Sequence, residues 1–216
     1  FEVQISGKNI LFDPFISPNP KAKDVDIKQI NPDYILVSHG HGDHIADCVA
    51  IAEQSKAQVV STFEITEWLS KQGLENLVPM NTGGSYDLGV AKIKLVRAEH
   101  SSSLPDGSYG GNPVGFLVES KEGNFYYAGD TALTLDMKLI PDWIKLDFSI
   151  LPIGDHFTMG IEDAATAAQW VQSKKIIGMH FDTFPPIEIN HDKAKQYFSN
   201  KQLELFLPTI NQTLEL

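Results

Sequence analysis

The stretch "HGHGDHIAD", residues 39 to 47, carries three of the chain's seven histidines together with two aspartates. Imidazole and carboxylate are the usual ligands for first-row metal ions where thiolate is absent, and zinc takes them in near-tetrahedral sets. His39 and His41 alternate along an extended segment, so they point the same way and can meet one ion. The turn that follows sends Asp43 and His44 to another. Three further residues of the same chemistry stand at the ends of predicted strands: His100 after "IKLVRAE", Asp130 after "FYYAG" and His180 after "KIIGM". One strand-end histidine is ordinarily a packing or surface residue. Five histidines and two aspartates in this pattern fit two ions with three ligands each and a carboxylate between them, because strand-end loops are where α/β sheets place their sites.

The elements that must position these residues follow from hydrophobic periodicity. "FEVQISGKNILF" alternates Phe1, Val3 and Ile5 with polar residues and turns at Ser6 to Asn9, which predicts a β-hairpin. "DYILVS" reads as a short strand running into the histidine loop, and Ile45, Val49 and Ala52 carry helical spacing behind it. Strands are further expected at 57–61, 92–98, 114–119, 124–128, 147–153, 175–179 and 203–207, with helices at 63–72, 162–172 and 191–199. Hairpins at the front and strand-helix alternation at the back predict an α/β layered fold with mixed sheets and outer helices. No linker or composition break divides residues 1–216, so one domain is expected. The chain begins inside the hairpin pattern without a methionine, so a preceding strand is also expected.

Composition narrows the chemistry. The single cysteine, Cys48, excludes a disulfide framework and a thiolate-rich metal site, and predicts a reducing, cytoplasmic setting. No apolar run approaches the ~20 residues needed to span a bilayer. A formal charge of −11 disfavours nucleic acid and anionic membranes, since phosphate binding depends on clustered Lys and Arg. Only short basic pairs appear, such as Lys21 with Lys23 and Lys174 with Lys175, and these two read as solvated surface. The expected partner is a small molecule, and a homo-oligomer is compatible with the composition.

"HGHGDH" matches the HxHxDH signature of the metallo-β-lactamase superfamily, and His100, Asp130 and His180 follow in the order that family uses. "AEHSSS", "YAGDTALTLDMKLI", "LPIGDHFTMG" and "MHFDTFPPI" resemble a branch of small bacterial and archaeal metal-dependent hydrolases related to the ascorbate-6-phosphate lactonases. The resemblance implies an αββα sandwich, two mixed β-sheets flanked by helices, with a dinuclear site at one edge. It implies that His39, His41 and His100 hold one metal, that Asp43, His44 and His180 hold the other, and that Asp130 bridges. Members of that branch open with a strand ahead of "FEV" that carries a glycine-histidine motif, which this chain lacks. Two divalent ions are implied, zinc first, with manganese and iron also suited to such donors.

Two metals can share a hydroxide and lower the pKa of water from 15.7 to about 7, so no protein nucleophile is needed. Asp43 is assigned a second task, accepting a hydrogen bond that aims the attacking oxygen. The expected activity is hydrolysis of a lactone, ester or phosphorylated ester; a phosphodiesterase or nuclease is the alternative. An iron redox protein of the flavodiiron type would carry glutamate at position 41, and a binding module would have lost ligands. His156, in "IGDHFTMG", is the candidate proton-transfer residue outside the ligand set, since histidine changes charge near neutral pH. Asp155 beside it is a candidate to orient a ligand histidine. His191 reads as a capping-turn residue and Cys48 as core. Segments 101–113 and 181–187 are expected to wall a compact pocket, Phe184 adding apolar surface and the Gly- and Ser-rich first segment permitting lid motion.

Overall fold

The computed structural model describes residues 1–216. The opening hairpin pairs β1 (Glu2–Ile5) with β2 (Lys8–Phe12) in register Ile5 to Lys8, leaving a two-residue turn at Ser6 and Gly7. Both turn residues have positive φ, 50° and 75°, as a primed hairpin turn requires. The turn is therefore two residues shorter than the sequence predicts, and Lys8 and Asn9 are already strand.

Two sheets are built on this start. β3 (Tyr34–Leu36), β4 (Gln58–Thr62) and β5 (Leu77–Met80) add in parallel beyond β2, giving a five-stranded sheet in the order β1-β2-β3-β4-β5. The second sheet runs β12-β11-β10-β9-β8-β7-β6. Its strands are β6 (Ser85–Asp87), β7 (Lys92–Arg97), β8 (Val114–Glu119), β9 (Phe125–Tyr127), β10 (Phe148–Pro152), β11 (Lys175–Met179) and β12 (Glu204–Phe206). β6 to β9 pair antiparallel, and β9 to β12 pair parallel through helical crossovers. Both sheets are mixed, as expected.

Strand alternation sorts side chains between the layers. Ile10, Phe12, Leu36 and Val60 point from the first sheet toward Leu95, Phe116, Phe125 and Tyr127 of the second. Leu11, Ile35 and Val59 point outward and are covered by Cys48 and Ile51 of α2 (Cys48–Ser55) and by Ile65 and Leu69 of α3 (Phe63–Lys71). On the far side, α5 (Ile161–Trp170) packs four buried alanines, and α6 (His191–Asn200) closes with Phe198. The result is helix, sheet, sheet, helix. Phe12 anchors the sheet interface, stacked on Tyr127 at 4.6 Å between ring centroids and edge-on to Phe116 and Phe125.

The helix expected behind the histidine loop is broken in two. One turn, α1 (Gly42–Ile45), is separated from α2 at Ala46 and Asp47. The break has a cause: Asp47 turns its carboxylate to the backbone N–H groups of Ile16 and Ser17, and its own N–H goes to the carbonyl of Pro14. The remaining short helix, α4 (Ile140–Trp143), follows a 3-10 turn at Leu135–Leu139 and starts with Pro141 in its first turn. No helix is long and apolar enough to cross a membrane.

Candidate metal centre

All seven predicted ligands gather at one edge, where strands of both sheets end. β3 delivers His39, His41, Asp43 and His44; β7 leads to His100, β9 to Asp130 and β11 to His180. Donor atoms of His39, His41 and His100 lie within 4.8 Å of one another, and so do those of Asp43, His44 and His180. Asp130 Oδ2 sits among them, 4.0 Å from His39 Nε2, 3.6 Å from His100 Nε2, 3.4 Å from His44 Nε2 and 3.1 Å from His180 Nε2. One carboxylate oxygen thus touches both trios.

The backbone needs special geometry to achieve this. Gly129, with φ of 61°, lets the loop before Asp130 run against Ser38; a Cβ there would stand 2.8 Å from Ser38 Cβ and 2.9 Å from the carbonyl of Val114. A Cβ on Gly154 would collide with the carbonyl oxygen of His180, so the turn after β10 packs directly on the His180 loop. His180 itself has φ of 55° and Asp13 has φ of 44°. Asp and His are among the few residue types that enter this left-handed region, and such strain concentrates at functional sites.

Asp13 is the residue that sequence reading missed. It is buried at the end of β2, and its carboxylate accepts four hydrogen bonds: from Ser38 N–H (2.7 Å), Ser38 Oγ (2.6 Å), Tyr127 Oη (2.8 Å) and His44 Nδ1 (2.9 Å). Ser38 Oγ spends its only proton on Asp13, so it accepts from His39 Nδ1 at 3.0 Å. Both histidines are thereby fixed with Nδ1 protonated and Nε2 turned inward, the carboxylate-histidine support that metal ligands require. Asp155, expected in this role, is exposed and its carboxylate meets no histidine. The only advance signal was the placement of Asp13 at the end of a strand beside Pro14, which reads equally as a turn.

The chemistry of the donors fits metal ions. His39 Nε2 and His41 Nδ1 stand 3.0 Å apart with His100 beside them, close to the ~3.3 Å between nitrogens that each bind zinc at ~2.0–2.1 Å in a tetrahedron. His44 Nε2 and Asp130 Oδ1 are buried without a hydrogen-bond partner, a costly arrangement for polar atoms unless something else satisfies them. Burial holds His39, His41 and His100 below the usual histidine pKa, which leaves neutral imidazoles ready to donate a lone pair. Burial works in the same direction on His44 and His180 but is outweighed. The carboxylates of Asp130 and Asp13 raise His44 well above its ordinary value, and those of Asp130 and Asp43 raise His180 to about 9. Asp130 is held well below the usual carboxylate range although burial opposes it, through the charge of His44 and contact with His180. In the second trio, protons occupy places that suit a cation.

The surroundings are closed more tightly than expected. Ser102 Oγ accepts from the N–H of Gly40 and donates to the carbonyl of Gly110, Leu104 is buried, and Trp68 Nε1 donates to Asp106 at 2.9 Å. These contacts fasten Ser102, Leu104 and Gly110 beside the histidine loop, while residues 105–109 between them stay exposed. His156 lies on the rim, in an exposed turn stitched to Thr131 through the Met159 N–H, with its ring against Phe157 and apart from the seven clustered residues. His191 is the first residue of α6, behind the Asn190 cap, and pairs with Asp182 at 2.6 Å. Cys48 is fully buried, and burial pushes its thiol up to about 12, so it is an inert core residue.

Comparison with known proteins agrees with this geometry. Residues 8–181 match the family model described as the Beta-lactamase superfamily domain. A UPF0173 metal-dependent hydrolase from Flavobacterium johnsoniae is 50% identical over 214 residues, covering 99% of this chain and 95% of that protein. Another from Methylacidiphilum infernorum is 49% identical over 216 residues, covering 100% and 96%. Among solved structures, Igni18, a metallo hydrolase from Ignicoccus hospitalis, superposes with a TM-score of 0.88 at 30% identity, covering 99% of this chain and 93% of its own. Fold, metal-suited donors and whole-length similarity together make this chain a metal-dependent hydrolase, and it belongs to the UPF0173 family of the β-lactamase superfamily.

Proposed function

We propose that the chain is a dinuclear hydrolase of small esters or lactones. The first ion is assigned to His39, His41 and His100, the second to Asp43, His44 and His180, and Asp130 to both. The observation that carries this reading is Asp130 Oδ2, which lies within 4.0 Å of inward-facing nitrogens from each trio. Bound ions supply Lewis acidity, polarising a carbonyl and making water more acidic. Zinc suits the all-nitrogen-and-oxygen donor set, as do manganese and iron.

The protein's own groups perform the remaining tasks. Asp43 is the more open carboxylate, its side chain 32% exposed against 3% for Asp130. Both of its ion-pair contacts use Oδ2, so Oδ1 is assigned the hydrogen bond that aims the attacking water. Asp13, through His44, and Ser38, through His39, keep Nε2 of each ring on the inner side. Ser102 and Leu104 pack against Gly40, and Ser101 Oγ stands 3.3 Å from His41 Nε2. His156, on the rim, is assigned transfer of a proton to the leaving group.

Metal analysis of the purified protein combined with a screen of lactones, carboxylic esters, phosphodiesters and oligonucleotides tests the reading. The expected result is about two metal equivalents per chain and turnover of an ester or lactone. Less than about one equivalent after reconstitution, or oligonucleotide turnover above every small substrate, overturns it.

A further inference from the structure

The segments that reach the metal edge share a property of charge. Residues 13–19, 37–47, 98–113, 128–137, 153–160 and 180–190 contain no lysine or arginine. The two cations directly adjoining these segments in the chain are engaged elsewhere. Arg97, the only arginine in the chain, is paired with Glu99 at 2.6 Å and lies 3.9 Å from Asp136, while Lys138 sits over the ring of Trp170 at 4.3 Å. A phosphate or carboxylate on the non-reacting part of a substrate is normally gripped by Arg, Lys or a helix N-terminus. Here it would meet the carboxylates of Asp43 and Asp155 with no lysine or arginine in these segments to compensate.

The same edge offers an apolar feature instead. Phe15 follows Asp13 by two residues and Phe184 follows His180 by four, and their rings meet at 6.3 Å between centroids. Phe15 lies in the loop after β2 of the first sheet and Phe184 in the loop after β11 of the second, so the pair joins a segment that begins at Asp13, the hydrogen-bond partner of His44, to the segment that begins at His180. The chain beside each ring is tied down. The Phe15 segment is tied to Asp47 through Ile16 and Ser17, and the Phe184 loop is tied at Asp182, which accepts from Ile189 N–H and from His191. Both rings are half-buried, which leaves part of each face open. A rigid, partly open aromatic pair next to a reaction centre is a surface for an apolar group.

We infer that the substrate carries no anionic group and presents an aryl or alkyl substituent to Phe15 and Phe184, which act as specificity-determining residues. This rests on the hydrolase reading above and narrows it: phosphorylated esters are excluded, and neutral, apolar-substituted esters or lactones are selected.

Hydroxamates separate the two ideas, because the metal-binding head is constant while the tail varies. Calorimetric titration of the metal-loaded protein would compare acetohydroxamate, 3-phenylpropionohydroxamate and the latter bearing a para-sulfonate, for the wild type, Phe184→Ala, Phe184→Leu and Phe15→Leu. The phenyl compound is expected to bind about tenfold or more tighter than acetohydroxamate. Sulfonation is expected to weaken it about fivefold or more. The phenyl-to-methyl ratio is expected to fall toward one in Phe184→Ala and to be partly restored in Phe184→Leu, with melting temperature and metal content as folding controls. Sulfonate binding as tight as phenyl, or an unchanged ratio in folded Phe184 and Phe15 variants, overturns the inference while leaving the metal centre standing. Failure of every hydroxamate to bind protein that holds its metal overturns the hydrolase reading, and the inference with it.

Discussion

Asp13 Oδ2 accepts a hydrogen bond from His44 Nδ1 at 2.9 Å, on the edge of the ring opposite the one that faces Asp130. The same oxygen receives Tyr127 Oη from the other sheet. Burial, followed by the charge of Asp13, raises the Tyr127 hydroxyl well above its usual pKa, so it stays a donor across the working range. A histidine of the candidate metal centre is thus held by a carboxylate that both sheets help to position.

Asp13→Asn keeps the size of the side chain but replaces one acceptor oxygen with a donor. Metal affinity at the His44 trio is expected to fall by about 10- to 100-fold, the usual cost of losing such support. Competition with a fluorescent chelator measures it, and an affinity within about twofold of wild type would remove Asp13 from this role.

Asp130→Asn tests the bridge. The variant is expected to retain less than about two metal equivalents and to lose hydrolysis, because Asp130 is the one residue assigned to both ions. Elemental analysis decides; two tightly held ions in the variant would place the bridge elsewhere.

His41→Ala and His156→Ala should separate. The first is expected to lose metal and activity together. The second should keep its metal and lose at most about 10²- to 10⁴-fold in kcat, the range of general acid-base catalysis. Metal loss from the His156 variant would move that residue into the ligand network.

The metal-free protein should have a pH signature. His180 is raised from 6.5 to about 9 on folding, so the stability it contributes is fully present below 6.5 and is lost as pH rises through about 9. His44 shifts in the same direction. Melting temperature of chelated protein is therefore expected to fall between those limits, and metal uptake in that window is expected to release protons. A pH indicator in weak buffer reads the release; uptake without protons would contradict the charged state of the second trio.

Gly154→Ala should act at a distance from every ligand side chain. Its Cβ would strike the His180 carbonyl, and the loop has to move. Weakened metal binding with an intact far-ultraviolet circular dichroism spectrum is the expected outcome; a fully metal-competent variant would show that the loop yields without consequence.

The ligand cluster was legible because its members carry their chemistry in their residue types and stand at strand ends, where periodicity can locate them. Asp13 was not, because one aspartate before a proline is also an ordinary strand stop. Its importance depends on Ser38, Tyr127 and His44, which lie 25, 114 and 31 residues away. β5 and β6 escaped for a local reason. "LVPM" contains a proline and "SYD" is three residues long, and both are edge strands, where a lost ladder bond or a short run is tolerated. The break between α1 and α2 was invisible because Asp47 makes it through the distant Pro14 to Ser17 segment. Phe184 was expected at the pocket, but its partner Phe15 emerged only when the two sheets were brought face to face.

Neither proposed trio is complete within one sheet, although a third cluster, Asp13, His39 and His44, lies wholly on the first. His39 and His41 need His100 from across the sandwich, and Asp43 and His44 need His180. A nascent chain that has formed only its first sheet therefore offers an ion the Asp13, His39 and His44 cluster but neither proposed trio. Filling of the two proposed trios would then follow docking of the two layers, so that the choice between competing ions would fall to a finished cavity of fixed spacing, where geometry can outweigh the intrinsic order of affinities.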